Sequence, residues 1–307
     1  IAVANLTSSG DLASSSSRGP AADGRIKPDI GAKGSSVNST LPENDYGLKT
    51  GTSMSCPGIS GVLGQLYQAY KELNAGQNPN SSIIKNIILN SADDIGNPGP
   101  DFKHGWGEVN ALRAVSIIED NQYMLDNISQ GNNNTHSISI PSGTRQLKLM
   151  VYWHDKEASA NASSALVNNL DIELFDNFGN SVELPWVLDP SPNATSLNTN
   201  AIKGIDNINN MEQITMNDPL PGNYELIVSG NSVPFGPQEY SVSYVFLKDD
   251  ITLTYPMGGE SWVPGEPEII RWDAYGDNGS FTLEYTLDGG INWVSVSSNI
   301  SGSSRQF

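Results

Sequence analysis

The sequence predicts an α/β segment over residues 1–125, an all-β sandwich or jelly roll over residues 126–248, and a truncated immunoglobulin-like β-domain over residues 249–307. Three observations carry this. In the first segment, short apolar stretches, Gly/Pro/Ser-rich loops and helical periodicity alternate. From about Ser129 the chain turns to strand-like runs separated by Asn, Asp, Gly and Pro turns. The charge shifts at the same place: residues 1–125 hold nine basic and twelve acidic side chains, residues 126–307 seven and 22.

Ile1 to Leu6 reads as a buried strand entered midway. The clearest helix runs from about Met54 to Leu73, where Ile59, Val62, Leu63, Leu66, Tyr67 and Tyr70 recur at spacings of three and four. A second helix is predicted from Ser81, as its cap, to Ser91, with Ile83, Ile84, Ile87 and Ile88 on one face; Pro98-Gly99-Pro100 rules out helix beyond it. Strands follow at Ser137–Ile140, Gln146–Trp153, Asn169–Phe175, Gln213–Met216, Asn223–Val228 and Tyr240–Leu247. Lys248-Asp249-Asp250 is read as a hinge, after which Ile251–Tyr255, Ile269–Trp272, Phe281–Leu287 and Trp293–Val296 suggest a further β-domain. This last stretch is shorter than the roughly 100 residues of an immunoglobulin sandwich, hence the expectation of truncation. Ser301 to Phe307 adds no closing element, so the chain is expected to be a piece of a longer protein cut at both ends.

A chain of 307 residues that is 37% hydrophobic can bury a sizeable core. Charged residues make up 16%, and the abundance of Asn, Ser and Gly suits an extracellular, β-rich protein. A net charge of −18 argues against nucleic acid as a partner, because a phosphate backbone needs a Lys/Arg surface. Cys56 is the only cysteine, so no disulfide forms within the chain, and no run approaches the roughly 18 apolar residues of a membrane span.

The chemistry is concentrated in Gly51-Thr52-Ser53-Met54-Ser55-Cys56-Pro57-Gly58-Ile59-Ser60-Gly61. A serine hydroxyl is a poor nucleophile unless it is exposed, rigidly aimed and paired with a base. A place just before a helix start gives Ser53 free backbone N–H groups and the positive end of a helix dipole. Pro57 is placed in the first turn, where its missing N–H is harmless. The Ser53 N–H and the Thr52 hydroxyl would then help to hold an oxyanion, while Gly58, Ser60, Gly61 and Gly64 would let the helix pack inside a core. The bland alternative is that Thr52, Ser53 and Ser55 merely cap a buried helix. Cys56 is read as a packing residue rather than a nucleophile.

Position by position these residues resemble the Gly-Thr-Ser-x-Ser/Ala-x-Pro signature of the subtilase family of serine peptidases, in which this serine is the nucleophile. Ser16-Ser17-Arg18-Gly19-Pro20 and Gly24-Arg25-Ile26-Lys27-Pro28-Asp29-Ile30 are similar to the stretch that precedes it. Gly105-Trp106-Gly107-Glu108-Val109-Asn110-Ala111 is similar to the segment that closes the catalytic domain. Two positions depart from the usual pattern, Gly58 where many members have histidine and Gly31-Ala32-Lys33-Gly34 in place of Ala-Pro-Gly. The resemblance implies a secreted bacterial endopeptidase with protein or peptide substrates, forming an acyl-enzyme on Ser53 with support from Thr52, and requiring no cofactor for catalysis.

Family members place the triad aspartate, the triad histidine and the oxyanion asparagine upstream of the signature, and this sequence begins after all three. His104 sits in the closing segment, His136 in an Asn-rich loop and His154 at a strand end, so none is assigned as base and the chain by itself is expected to be inactive.

Leu149-Met150-Val151-Tyr152-Trp153, Val167 to Leu174 and Pro221-Gly222-Asn223-Tyr224-Glu225-Leu226 resemble the β-domain attached to some bacterial alkaline subtilases and the P-domain of kexin-like convertases. That implies a domain packed in cis on the catalytic one. Asp171, Asp206, Asn209 and Glu212 supply oxygen ligands of the kind calcium takes, so a structural calcium is an expected cofactor; the alternative is a solvated acidic surface. In the last domain Trp272 and Trp293 are expected in the core rather than as ligand platforms. The competing functional reading is a non-catalytic extracellular protein in which a degenerate half-domain supports binding modules.

Overall fold

The computed structural model describes residues 1–276 and 279–307. They fall into two compact units, residues 1–141 with 146–246, and residues 142–145 with 247–307.

In the first unit β1 (Val3–Leu6) and β2 (Ile30–Lys33) pair in parallel, Val3 opposite Ile30, with Ala4, Leu6, Ile30 and Ala32 buried. Just before β2, Asp29 accepts hydrogen bonds from the Ala2 N–H and the Lys27 ammonium, both at 2.5 Å. Burial pulls the Asp29 carboxyl upward, but the Lys27 charge and these bonds outweigh it and hold the group below its usual range. The hairpin of β3 (Val37–Leu41) and β4 (Asp45–Lys49) follows.

The helix α1 (Thr52–Leu73) starts two residues earlier than its periodicity suggests and lies on β1 and β2. The helix α2 (Ser81–Asn90) is capped by Asn80, whose Oδ1 accepts from the Ser82 N–H at 2.9 Å, so the expected Ser81 cap is replaced by the residue before it. A third helix, α3 (Ala111–Glu119), was not anticipated; the Asn110 Oδ1 caps it by accepting from the Arg113 N–H at 2.9 Å.

Between α2 and α3 the chain returns to the edge of β2. The Gly31 N–H donates to the Gly107 carbonyl at 2.8 Å and the Val109 N–H to the Gly31 carbonyl at 3.0 Å. Gly107 has φ +120°, and a Cβ there would stand 2.0 Å from the Asp93 carbonyl oxygen, so this crossing admits only glycine.

Two four-stranded sheets complete the unit. One runs in the order β12 (Met211–Asn217), β7 (Thr144–Trp153), β14 (Gln238–Lys248), β5 (Tyr123–Ile128); the other β6 (Asn133–Ile140), β13 (Gly222–Ser232), β8 (Asn169–Asp176), β9 (Ser181–Glu183). A two-stranded ribbon, β10 (Trp186–Val187) with β11 (Ile202–Lys203), lies between β9 and β12 in sequence. Alternation of side chains explains how both faces of the first sheet are used. Leu147, Leu149, Val151 and Trp153 of β7, with Tyr240 and Val242 of β14, join the core shared with the second sheet. The intervening Lys148, Met150, Ser241 and Ser243 belong to the face that meets α2.

That contact is polar and fully buried. The Asn86 Nδ2 donates to the carbonyls of Met150 (3.1 Å) and Ser241 (2.8 Å), and the Asn90 Nδ2 to the carbonyl of Ser243 (3.1 Å). The helix α2 is therefore buried on both sides, and its isoleucines do not define a single inward face.

Lys148 is 3% exposed and donates to the Ala92 carbonyl at 2.5 Å. Burial, aided by the Arg113 charge and opposed by Asp93 and Asp94, pushes its ammonium down to about 8. The unfolded chain then binds more protons than the folded one between about pH 8 and the ordinary lysine value near 10.4, so this group's contribution to stability rises with pH across that window. Lys148→Met is expected to be more stable than the parent at pH 7 and to lose that advantage progressively between pH 8 and 10 in urea titrations. An advantage that stays constant with pH would contradict this.

In the second unit β15 (Ile251–Tyr255) pairs with β16 (Arg271–Ala274), and β17 (Ser280–Tyr285) with β18 (Val294–Ser301). Trp272 packs on Phe281 with ring centroids 5.4 Å apart, as expected of a core residue, whereas Trp293 is 58% exposed and is not part of that core.

Candidate active site

The start of α1 is set by backbone packing against the end of β2. The Gly51 N–H donates to the Gly34 carbonyl at 2.9 Å, and the Gly51 carbonyl accepts the first helical bonds, from Met54 (2.9 Å) and Ser55 (3.4 Å). The N–H groups of Thr52 and Ser53 therefore precede the first bonded turn and remain available as donors. Both side chains are exposed, and the first turn carries no acidic residue to offset the positive end of the helix dipole.

Behind this turn the packing is close. Ser55 is fully buried, and a Cβ on Gly34 would lie 2.0 Å from its Oγ, 2.7 Å from the Gly51 carbonyl oxygen and 2.7 Å from the Asn5 Oδ1. Gly34 thus lets β2 approach the helix start closely enough to fix Ser53 in position. Pro57 lies in the second turn rather than the first, because the helix begins at Thr52. Its ring removes the N–H that would bond the Ser53 carbonyl.

The outer face of α1 differs from expectation. Gly58, Gly61 and Gly64 are exposed, with nothing within 4 Å of an added Cβ, and Cys56 is exposed as well, so among the described residues this face packs on nothing.

No histidine joins Ser53 among the described residues. His104 is buried, with its Nδ1 3.1 Å from the Asp101 Oδ2. Burial raises the Asp101 carboxyl, but the bonds and charge of His104 outweigh it and keep it below its usual range. His136 lies within β6 rather than in a loop, and its Nε2 is 2.7 Å from the Tyr240 hydroxyl. Burial lowers its imidazole against the opposing charge of Asp126. His154 follows β7 and meets the Tyr152 ring edge-on at 5.2 Å; burial and then the Lys85 charge lower it, against Glu239.

Of the four residues expected to suit calcium, Asp206 and Asn209 are committed to each other and to backbone. The Asp206 Oδ2 accepts from the Asn209 Nδ2 at 2.7 Å, and the Asn209 Oδ1 accepts from the Ile26 N–H at 2.8 Å. Asp171 and Glu212 each keep one buried oxygen without a partner, and so does Asn169, which its residue type alone did not single out.

The arrangement at α1 is an exposed hydroxyl at a rigid helix start, with backbone donors and a positive dipole beside it and, among the described residues, no base bonded to it. Residues 1–107 match the Subtilase family of peptidases. The chain is 33% identical to the "Minor extracellular protease Vpr" of Bacillus subtilis over 46% of its own length and 19% of the relative's. It is 38% identical to a "C5a peptidase" of Streptococcus pyogenes over 46% of its length and 12% of the relative's. A "Serine protease/ABC transporter B family protein tagB" of Dictyostelium discoideum aligns with 85% of the chain at 24% identity and covers 17% of that relative. The chain thus spans less than a fifth of each of these proteins.

Proposed function

We propose, with residues 1–107 as subtilase-family sequence, that the chain is part of a secreted serine endopeptidase that hydrolyses peptide bonds through an acyl-enzyme on Ser53. The observation that carries this is the placement of Ser53: exposed, at the first turn of α1, with its own N–H ahead of the bonded turns. In this reading the Ser53 Oγ attacks the substrate carbonyl as a histidine outside residues 1–307 takes its proton. The Ser53 N–H, supported by the Thr52 hydroxyl, donates to the oxyanion of the tetrahedral intermediate, and the same histidine then protonates the leaving amine.

The uncovered face at Gly58, Gly61 and Gly64 supports the placement of further catalytic-domain residues outside this chain, since a helix with its nucleophile at one end has to be held rigidly. Residues 1–125 would be the C-terminal portion of the peptidase domain, residues 126–248 a jelly-roll-like domain that stabilises it in cis, and residues 249–307 part of an immunoglobulin-like domain. The contacts of Asn86 and Asn90 support the stabilising role. The word extracellular in the name of the Bacillus relative supports secretion.

Residues 1–307 alone are expected to give no Ser53-dependent hydrolysis of casein, and the protein extended upstream by its own coding sequence is expected to hydrolyse it. Turnover by residues 1–307 that is lost in Ser53→Ala would refute the external base. An extended protein that is folded and silent would favour the non-catalytic reading.

Gly34 gives a second test of the same geometry. Gly34→Ala is expected to lower kcat/KM of the extended protein about 100-fold, the scale at which a displacement near 1 Å disables an attacking group. Ser55→Ala placed on top of it is expected to restore only part of that loss, because the Gly51 carbonyl still stands 2.7 Å from the new methyl. Unchanged kcat/KM in Gly34→Ala would mean that β2 does not position the serine.

A further inference from the structure

A cavity of about 300 Å³ lies at the end of β7, with Arg25, Tyr152, Lys156, Leu166 and Asn210 in its wall. That volume is at the small end of the range for sites that hold organic ligands. Tyr152 is buried on β7, Arg25 comes from the loop before β2, and Lys156 and Leu166 come from the connection between β7 and β8.

The polar groups around the cavity are mostly donors that the fold leaves unspent. The Arg25 Nε donates to the Asp23 Oδ2 at 2.7 Å, and among the described residues its two terminal nitrogens bond to nothing. The Lys156 ammonium stands 5.8 Å from the centre of the Phe235 ring and, among the described residues, makes no hydrogen bond. The Tyr152 oxygen accepts from the Lys85 Nζ at 3.3 Å, so its own proton is left to be donated elsewhere. Burial, and then the Asp29 charge, push that hydroxyl up to about 12 against the Asn210 amide, which keeps the proton in place at neutral pH.

Two acids belong to the same wall. Asp155 is spent, its Oδ2 accepting from the Val167 N–H at 2.6 Å and its Oδ1 from the Asn168 N–H at 2.8 Å. Glu157 is exposed at the rim and opposes an anion there. Behind Tyr152 the balance is positive. Asp23 pairs with Arg25 and Asp29 with Lys27, which leaves Lys85 with no carboxylate in bonding distance among the described residues. Burial lowers the Lys85 ammonium, and the charges of Lys27 and Arg25 lower it further against Asp29, so an anion at Tyr152 would relieve it.

We propose that this cavity binds the C-terminal carboxylate of a peptide. The Arg25 guanidinium carries paired N–H groups that match the two oxygens of a carboxylate, the Tyr152 hydroxyl adds a third donor, and Lys156 and Lys85 add attraction. The Asn210 Nδ2 is held by the Trp153 carbonyl at 2.7 Å, which leaves the Asn210 Oδ1 to accept the N–H of the peptide's last residue, a group that a simple organic acid lacks. Leu166 supplies apolar surface for the last side chain. The site is independent of the role given to Ser53.

The test is calorimetric titration of the chain of 307 residues with N-acetyl-alanyl-leucine, with its C-terminal amide, and with isocaproate, which keeps the carboxylate and branched end but has no peptide N–H. The peptide acid is expected to bind at least about 10-fold more tightly than the amide, the scale of a lost bond to a charged group, and more tightly than isocaproate. Arg25→Gln is expected to weaken its binding at least about 10-fold and Tyr152→Phe about 5-fold. Lys156→Gln and Glu157→Gln, both at exposed positions, carry the test if Arg25→Gln does not fold: the first is expected to weaken binding about 3-fold and the second to strengthen it by a similar factor. A peptide acid that binds no better than its amide, or equally to the parent and these variants, would overturn the proposal. Isocaproate binding as tightly as the peptide acid would overturn the assignment to a peptide.

Discussion

Ser53→Ala, made in the protein extended upstream by its own coding sequence, is expected to lower kcat by about 10⁶-fold with KM changed little. That is the scale of loss when a subtilisin is deprived of its nucleophile. The direction does follow from the structure. Ser53 projects into solvent from a turn fixed by Gly34 and Gly51, and alanine deletes the hydroxyl without touching the Gly51–Gly34 bond or the buried Ser55. The backbone N–H at position 53 survives the change, so a residual rate over water from oxyanion stabilisation is expected to remain. Thr52→Val removes only a supporting hydroxyl and is expected to cost far less. If Ser53→Ala retained most of the proteolysis, the chemistry would belong to another residue.

The second large effect is on stability. Asn86→Ala is expected to cost about 3 kcal/mol, and Asn90→Ala a similar amount. Each asparagine bonds buried backbone carbonyls of the sheet through Nδ2. Each also accepts through Oδ1, Asn86 from the Ser243 hydroxyl at 2.6 Å and Asn90 from the Gln213 amide at 2.9 Å. Alanine leaves several of these groups buried and unpaired, which costs more than a hydrogen bond normally contributes. For a cooperative unit of this size the loss corresponds to a fall in Tm of roughly 6–12 °C. The two asparagines share Ser243 as a partner, so the double variant is expected to lose less than the sum of the single losses. A fall of less than about 2 °C in both single variants would show that α2 is held to the sheet by its apolar residues alone.

The parts of this molecule that were legible in the sequence are those dictated by local chemistry. The helix behind Ser53 announces itself by apolar residues at spacings of three and four, and β8, β13 and β14 by alternation, because each presents one face to a shared core; β7 instead carries the continuous apolar run Leu149 to Trp153, because both of its faces are buried. The sites that escaped depend on partners far away in the chain. Asn86 and Asn90 are polar residues in a helical pattern that nothing local singles out; they are buried because Ser241 and Ser243, on alternate positions of β14, supply matching groups from more than 150 residues away. The strand β5 was hidden because Leu125 and Asn127 face outward without a clean polar alternation. The helix α3 did leave a signal, Asn110 before a run ending in Ile117-Ile118, which the motif around Gly105 masked.

The candidate active site divides in the same way. Ser53 and Thr52 stood out through their resemblance to the subtilase signature, since residue type and position beside a helix start also fit a plain cap; the structure adds the close approach of Gly34 to that start, which only the proximity of β2 can reveal. Among the described residues nothing packs on Gly58, Gly61 and Gly64 of α1, since small residues permit close packing but do not supply the neighbour. Of the four residues expected to suit calcium, Asp171 and Glu212 differ from Asp206 and Asn209 in each keeping one buried oxygen without a partner, a difference of hydrogen bonding that residue type alone does not reveal.

The central claim is that Ser53 is an activated nucleophile. It is tested most directly by treating the upstream-extended protein with a fluorophosphonate and mapping the adduct by mass spectrometry, because that reagent phosphonylates a serine only where a base has raised its reactivity. The account predicts one adduct per molecule, on the peptide containing Ser53, and none in Ser53→Ala. An extended, folded protein with no adduct, or with an adduct on a different serine, would contradict it.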